Sequence, residues 1–162
     1  MNTLKEEIVK YSKEQRKALE VFAEYISCDN PYENMSKRTY KKLGKYYKQL
    51  PSSIFSIPKC SYLYHTSHAE RTPDKLTESG IVSCTSPKGK DYISSEWFLR
   101  EGDIWWRLRK RKAVDARKLY DVACEAGLLK EQSWLRARVN NEDEYILPQE
   151  KVKVLSRKEV KW

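Results

Sequence analysis

The first third of the chain alternates apolar and charged residues at the spacing of an amphipathic helix. Apolar residues recur at steps of three and four over residues 3–27, at Leu4, Ile8, Tyr11, Leu19, Phe22, Ala23 and Ile26. This period predicts a helix that ends at the Cys28-Asp29-Asn30-Pro31 segment. A second helix is predicted over residues 35–49, with lysines on one side and a tyrosine- and leucine-rich stripe on the other.

After residue 58 the pattern changes to short apolar and aromatic runs separated by turn residues. Strands are predicted over residues 61–66, 81–86, 104–109, 134–139, 145–147 and 152–155, and short helices over 73–79 and 92–100. Residues 113–127 fit either one helix or a strand followed by a helix, and residues 140–141 are typical of a turn. We therefore predict one α+β domain over residues 1–162, with a helical segment, 1–58, and a β-rich segment, 59–162.

Length and composition fit a folded domain without a membrane span. The 162 residues are 40% apolar and 12% aromatic, which is more than a disordered chain carries. No run approaches the roughly 18 apolar residues of a membrane helix, and the N-terminus lacks the apolar region of a secretory signal. We therefore expect a cytoplasmic protein, or one that acts in the cytosol of a host cell.

The cysteines and histidines do not form a metal-binding pattern. The four cysteines, at positions 28, 60, 84 and 124, include no CxxC pair, and His65 and His68 are the only histidines. This spacing excludes a zinc finger, and no metal is expected. In a cytosolic compartment we expect the thiols to stay reduced.

The formal net charge of +9 is concentrated in two parts of the chain. Residues 1–60 carry 12 basic and 7 acidic residues, and residues 101–120 carry 7 and 3, so these two stretches account for the whole surplus. Within them, the basic residues cluster in Lys37–Lys48, where tyrosines are interleaved, and in Arg107–Lys118. Such segments fit either a solubilising surface or attraction to nucleic acid or to a nucleic-acid-associated protein.

Three polar stretches lie at the ends of predicted strands. The first stretch, Tyr62–Ser67, has a histidine near the end of the first predicted strand. The second, Val82–Ser86, carries alternating hydroxyl and thiol groups. Glu142 and Glu144 are two residues apart at the start of a later strand, so strand alternation predicts that both carboxylates face the same way. Taken one at a time, the stretches fit an ordinary hydrogen-bonding histidine, a polar strand face and a solvated acidic turn.

In this order the three stretches resemble the motifs of the mono-ADP-ribosyltransferase family. That family has an Arg or His on its first strand, a Ser-Thr-Ser strand and a late Glu-x-Glu, and this chain has His65, Cys84-Thr85-Ser86 and Glu142-Asp143-Glu144. The similarity extends over residues 10–156 and includes the family's E-x-x-x-P ending, here Glu144–Pro148. It implies an α+β fold in which the helical N-terminal third packs on a split, mostly antiparallel β core.

The resemblance also implies a reaction, in which the bond between nicotinamide and ribose in NAD breaks and ADP-ribose moves to an acceptor. It assigns Glu144 as the catalytic carboxylate, which stabilises an oxocarbenium-like ribose, and Glu142 as the residue that positions the acceptor. The residues that it implies for NAD binding are His65, Thr66, Cys84, Thr85, Ser86, Tyr92 and Trp97. NAD is then a substrate, and no metal is expected.

Two residues depart from the family's pattern. His65 stands where the arginine-modifying branch has Arg, and Cys84 stands at the first Ser, unless the motif is shifted by one and Ser83 takes that position. The expected acceptor is a protein side chain, with arginine a candidate because of Glu142, and the expected kind of enzyme is a small phage or bacterial effector. The alternatives are NAD-dependent modification of nucleic acid, by ADP-ribosylation or by removal of an RNA 2′-phosphate, and a non-catalytic basic protein that binds nucleic acid or acts as an inhibitor.

Overall fold

The computed structural model describes residues 11–28, 30–67, 78–85 and 101–159. The helices in these ranges are α1 (Lys13–Ser27), α2 (Pro31–Asn34), α3 (Lys37–Tyr40), α4 (Leu43–Tyr47), α5 (Ala116–Glu125) and α6 (Ser133–Glu142), with 3₁₀ turns at Ser52–Ile54 and Gln149–Lys151. The strands are β1 (Phe55–Ser56), β2 (Tyr62–Ser67), β3 (Ile81–Thr85), β4 (Ile104–Arg109), β5 (Ala113–Asp115), β6 (Glu144–Pro148) and β7 (Val154–Glu159). Each of these helices is too short or too polar to cross a membrane. The helix predicted over 92–100 and most of that over 73–79 lie outside the described residues.

The first helix has the predicted apolar stripe in its described part, and residues 3–10 of the predicted helix lie outside the described residues. The Ser12 side chain accepts a hydrogen bond from the Gln15 amide, and the Ser12 amide donates to the Gln15 side chain. This capping box starts α1 at Lys13 in the described part of the chain. Phe22 and Ile26 lie on the buried stripe, which joins the main core.

The single helix predicted over residues 35–49 is wrong, because α3 and α4 take its place. Ser36 caps α3 through its side chain, and the chain turns at residues 41–42 before α4 begins. The turn brings Leu43 and Tyr47 into the core, where both are buried. This break is set by packing against distant parts of the chain, which the local period does not contain.

The strand predicted over residues 134–139 and the turn predicted at 140–141 are also wrong, because both segments belong to α6. Leu135, Ala137 and Val139 alternate as in a strand, but Leu135 and Val139 are also four residues apart, as on one face of a helix. Leu135 and Val139 are both buried in the core that contains α5. The helical period is therefore the one that the tertiary structure uses.

The seven described strands form one antiparallel sheet in the order β1-β5-β6-β3-β2-β4-β7, which confirms the predicted α+β class. Residues 113–127 form a strand and then a helix, one of the two predicted arrangements. β2 pairs with β4 over six residues and β3 with β6 over five; among the described residues, which reach Thr85 on β3, β2 and β3 share one registered pair, Tyr64 with Thr85. We call this junction the seam, because it divides the sheet into β1-β5-β6-β3 and β2-β4-β7.

Each face of the sheet carries a buried apolar layer. On one face, which we call the helix face, Ile81, Val114 and Ile146 belong to a core formed with α1, α4 and α5. The second cluster lies on the opposite face and includes Leu63, Val82, Cys84, Trp106, Leu108, Tyr145 and Leu147. Because side chains alternate along a strand, residues adjacent in sequence on β2, β3 and β6 lie on different faces.

Gly44 of α4 packs against Gly80, which precedes β3. A Cβ atom at residue 44 would lie 3.1 Å from the Gly80 Cα. The Gly80 backbone has little freedom to shift, because the Gly44 amide donates to Ser79 O at 2.7 Å and the Gln149 amide donates to Gly80 O at 2.8 Å. We therefore predict that Gly44→Ala lowers the free energy of unfolding by about 1–3 kcal/mol. An unobstructed helical Gly→Ala would instead raise it by about 0.5–1 kcal/mol.

Urea unfolding measures the sign of this change. Lys45→Ala, on an exposed position of the same helix, is the control for the substitution to alanine. A Gly44→Ala protein that is more stable than the wild type would contradict the close packing of α4 on the start of β3.

Candidate active site

The three motif strands are neighbours at the centre of the sheet, although they are far apart in sequence. β3 lies between β2 and β6, and Thr85 at its end is in register with Tyr64 on β2 and with Glu144 on β6. Residues directly opposite one another share a face, so the side chains of Glu144, Thr85 and Tyr64 form one row across the helix face. The Glu144 carboxylate therefore lies beside a hydroxyl group at the seam.

A second hydroxyl and a phenol lie on the same face next to this row. Ser83, two residues before Thr85, hydrogen-bonds through Oγ to the Tyr25 hydroxyl of α1 at 2.5 Å. Burial raises the pKa of Tyr25, and the nearby charge of Glu144 raises it further, so the phenol is protonated at neutral pH. Glu144 thus lies among neutral hydroxyl groups, which are able to donate hydrogen bonds to a carboxylate.

Cys84 lies on the opposite face from Glu144, because it alternates with Ser83 and Thr85 along β3. Its thiol donates to the Tyr145 carbonyl at 3.3 Å, and burial, together with the Glu144 charge, raises its pKa. The thiol is therefore protonated and joins β3 to β6. Of the two alignments of the Ser-Thr-Ser motif, the shifted one, Ser83-Cys84-Thr85, has both of its hydroxyl groups on the face of Glu144.

His65 stands at the seam on the face that carries Leu63 and Trp106. Its Nδ1 lies 2.7 Å from the Ser83 carbonyl oxygen, and because a carbonyl only accepts, Nδ1 carries the hydrogen. Burial lowers the pKa of His65, so the ring is neutral at pH 7 and Nε2 is unprotonated. The imidazole therefore links β2 to β3 next to the one registered pair.

The remaining predicted site residues divide between the described and undescribed parts of the chain. Thr66 is exposed on the helix face of β2, opposite Trp105. Ser86, Tyr92 and Trp97 lie outside the described residues, as does the side chain of Glu142. Thr85 and Glu144 are therefore neighbours in the sheet, and Thr66 lies on the same face. His65 and Cys84 lie on the opposite face.

The expectation that Glu142 and Glu144 alternate along one strand is wrong. Glu142 is the last residue of α6, and Glu144 is the first residue of β6. Asp143 between them is in the left-handed region, with φ of 48°. A helix-to-strand junction therefore separates the two glutamates, and the alternation of a strand does not apply across it.

Arg117 of α5 contacts the residues on both sides of Glu144. Its Nη1 lies 2.7 Å from Asp143 Oδ1, and its Nη2 donates to the Tyr145 hydroxyl at 3.3 Å. Its Nε lies 3.3 Å from Asp115 Oδ1, which also caps α5 by accepting from the Arg117 amide. One guanidinium therefore holds the left-handed residue and the start of β6 against α5, and so positions Glu144.

Sequence reasoning missed both Tyr25 and Arg117. Tyr25 follows Phe22 by three residues on an apolar stripe that the helical period assigns to packing, and its phenol is the one feature that distinguishes it there. Arg117 belongs to a basic segment that indicates surface charge, and nothing local in the sequence connects it to Asp143. Both residues act through contacts between elements that are distant in sequence.

Comparison of the chain with protein-family models, with curated proteins and with solved structures found no significant match. Among the described residues, no group of three or more His, Cys, Asp or Glu side chains is arranged to hold a metal ion. The site is therefore interpreted from its own geometry, together with the order of the motifs along the chain.

The lowered pKa of His65 predicts a pH-dependent stability. The unfolded chain takes up a proton at His65 near the usual pKa of about 6.5, whereas the folded chain resists that proton. The stability that the neutral imidazole contributes is therefore fully present above this pH, and it is lost as the pH falls below it. His65→Asn keeps an N–H group for the Ser83 carbonyl and removes the titration.

Urea unfolding at about pH 7.5 and about pH 5.5, on either side of the usual histidine pKa, measures this effect. We expect the wild type to lose more stability between the two conditions than His65→Asn does. Equal losses in the two proteins would contradict a buried, neutral imidazole.

Arg117→Met is predicted to lower the free energy of unfolding by about 1–2 kcal/mol, because Asp143 and Asp115 lose a cationic partner. The effect is limited because the Arg117 side chain is 36% exposed, so solvent screens its ion pairs. Arg117→Lys keeps the charge, but an ammonium group does not reproduce the contacts of the guanidinium with Asp143, Asp115 and Tyr145. It should therefore recover part of the lost stability. Chemical denaturation measures the free energy of unfolding of the wild type and of both variants.

Lys118→Met, at an exposed position of the same helix, is the control and should change stability by less than about 0.5 kcal/mol. If Arg117→Met proved as stable as this control, the guanidinium would not be holding the junction before β6.

Proposed function

We propose that the protein is an NAD-dependent ADP-ribosyltransferase in which Glu144 is the catalytic carboxylate. The observation that carries this proposal is the pairing of Glu144 with Thr85 at the seam, on the face where Ser83 and Tyr25 supply further hydroxyl groups. The α+β fold with one antiparallel sheet supports the same function. So does the meeting of all three motif strands at one point, as the family resemblance implies.

In the proposed reaction, the bond between C1′ of the nicotinamide ribose and the ring nitrogen breaks, and both bonding electrons leave with nicotinamide. The ribose becomes oxocarbenium-like, and a carboxylate beside it stabilises the developing positive charge. Glu144 accepts a hydrogen bond from a ribose hydroxyl in this state. The acceptor then forms a bond to C1′ and loses a proton, which balances the transfer.

The hydroxyl groups around Glu144 have a positioning role in this proposal. Thr85, the cross-strand neighbour of Glu144, is proposed to donate a hydrogen bond that orients the carboxylate. The neutral Tyr25 phenol bonds Ser83 on the same face without repelling the carboxylate. His65 lies on the opposite face from the Glu144 carboxylate, so it has a positioning role and no NAD contact is proposed for it: its Nδ1 bond to Ser83 O holds the seam together. The further proposed NAD contacts are Thr66, Ser86, Tyr92 and Trp97. Cys84 is not among them, because its thiol is buried on the opposite face and donates to the Tyr145 carbonyl.

Two classes of acceptor rest on different residues. A protein side chain, with arginine as the candidate, rests on Glu142, whose carboxylate would pair with a guanidinium. Nucleic acid is favoured by Tyr62, Arg107 and Arg109, which lie on the same face of the sheet as Glu144 and Thr85.

Release of nicotinamide from NAD, measured by chromatography with a cell lysate as the source of acceptors, tests the proposal. We predict that Glu144→Gln lowers the rate at least about 100-fold, because a neutral amide does not stabilise the ribose cation. Glu150→Gln, at an exposed position after β6, is the matched control and should keep the wild-type rate.

The same reaction with adenine-labelled NAD should transfer label to a macromolecule from the lysate. Treatment with protease or nuclease then assigns the acceptor class. A wild-type protein that releases no nicotinamide, or a Glu144→Gln protein as active as Glu150→Gln, would overturn the proposed function.

A further inference from the structure

The row that begins at Glu144 continues past the seam into a basic and aromatic surface. Arg107 of β4 is in register with Tyr64, and Ser156 of β7 is in register with Arg107. The helix face of β2, β4 and β7 carries eight described strand residues, which are Tyr62, Tyr64, Thr66, Trp105, Arg107, Arg109, Ser156 and Lys158. Three of the eight are cationic, three are aromatic and none is acidic. We call this set the β2-β4-β7 surface.

The cations and rings of this surface are stacked on one another. The guanidinium carbon of Arg107 lies 4.7 Å from the ring centroid of Tyr62 and 5.9 Å from that of Tyr64. The Tyr64 ring lies 5.3 Å from the Trp105 ring. Tyr64 and Trp105 are buried, whereas Tyr62 is 38% exposed. The outer ring therefore offers a flat aromatic face that its guanidinium neighbour holds in place.

Positive charge increases toward the end of the same strand. Arg109 and Lys158 are exposed, and Arg109 begins a run of four consecutive basic residues, Arg109–Lys112. Arg111 in this run donates to the Lys151 carbonyl at 3.2 Å, which holds the run close to the turn before β7. Cations beside an exposed ring suit a single-stranded nucleic acid, because its phosphates pair with the cations and an unpaired base stacks on the Tyr62 ring.

We propose that the β2-β4-β7 surface binds single-stranded nucleic acid. Bases in a duplex are already stacked on one another and leave no free face for Tyr62, and an acidic protein would use the cations but not the ring. A single strand is the ligand that uses both parts of the surface.

The surface also lies close to the proposed catalytic carboxylate. Glu144, Thr85, Tyr64 and Arg107 lie on four successive strands, so three spacings of about 4.8 Å separate Glu144 from Arg107 by roughly 14 Å. A strand bound at Arg107 therefore reaches Glu144 along one face of the sheet. The role of the bound strand as the ADP-ribose acceptor rests on the proposed function, whereas the binding itself does not.

Fluorescence anisotropy of labelled oligo-dT and oligo-U measures this binding without NAD. Arg109→Gln combined with Lys158→Gln removes two exposed charges from the surface, and Lys13→Gln combined with Lys130→Gln removes two exposed charges outside both basic segments, which leaves the same net charge. We expect the surface variant to bind at least about tenfold more weakly than the control variant. Its slope of log K against log salt should fall by about 1.4, or about 0.7 for each lost phosphate contact.

Tyr62→Ala tests the stacking contribution separately. We expect it to weaken binding about fivefold or more, because one base loses its aromatic partner. Tyr62 is partly exposed, so the substitution leaves the buried rings below it intact, and a urea unfolding curve checks that the variant is folded.

Three results would overturn the proposal. The first is an equal loss of affinity in the two double variants. The second is binding that Tyr62→Ala leaves unchanged, with equal affinity for labelled poly-glutamate, which would assign the surface to an acidic protein. The third is a duplex bound as tightly as the single strand. If the protein binds single strands but releases no nicotinamide, the binding surface is supported and only the proposed function is overturned. If it releases nicotinamide but does not bind single strands, the proposed function is supported and the binding surface is overturned.

Discussion

The contact on which the site depends is the single registered pair between Tyr64 and Thr85. It is the one point of backbone register between the two halves of the described sheet, and Thr85 is at the same time the cross-strand partner of Glu144. Loss of this pair would separate Glu144 from the β2-β4-β7 surface. The bond between His65 and Ser83 O adds a second link at the same place. The stability of the sheet and the geometry of the site therefore depend on the same few contacts.

The sequence was sufficient to predict the fold class and the three motif strands, because apolar alternation and aromatic or β-branched runs are local properties. It was insufficient where contacts between distant elements decide the structure. The spacing of Leu135 and Val139 fits a strand and a helix equally, and packing in the core with α5 selects the helix. In the same way, the left-handed conformation of Asp143 goes with an ion pair to Arg117, a residue that no local pattern connects to it.

The residues of the candidate site were proposed from the sequence without their geometry. Glu144 and Thr85 were identified from motif order, but their shared face follows from a strand register that neither strand reveals alone. By the same alternation, Cys84 and His65 lie on the opposite face, where each forms a hydrogen bond with a backbone carbonyl of a neighbouring strand. The net charge of +9 is likewise uninformative until the register of β2, β4 and β7 puts three of the cations on one face with three aromatic rings.

The most direct test of the central claim is a crystal structure of the Glu144→Gln protein with NAD bound. We predict that the nicotinamide ribose lies at the seam, with a ribose hydroxyl about 3 Å from the side chain of residue 144 and with Thr85 beside it. NAD bound on another surface, or a ribose that does not approach residue 144, would contradict the assignment of Glu144 as the catalytic carboxylate.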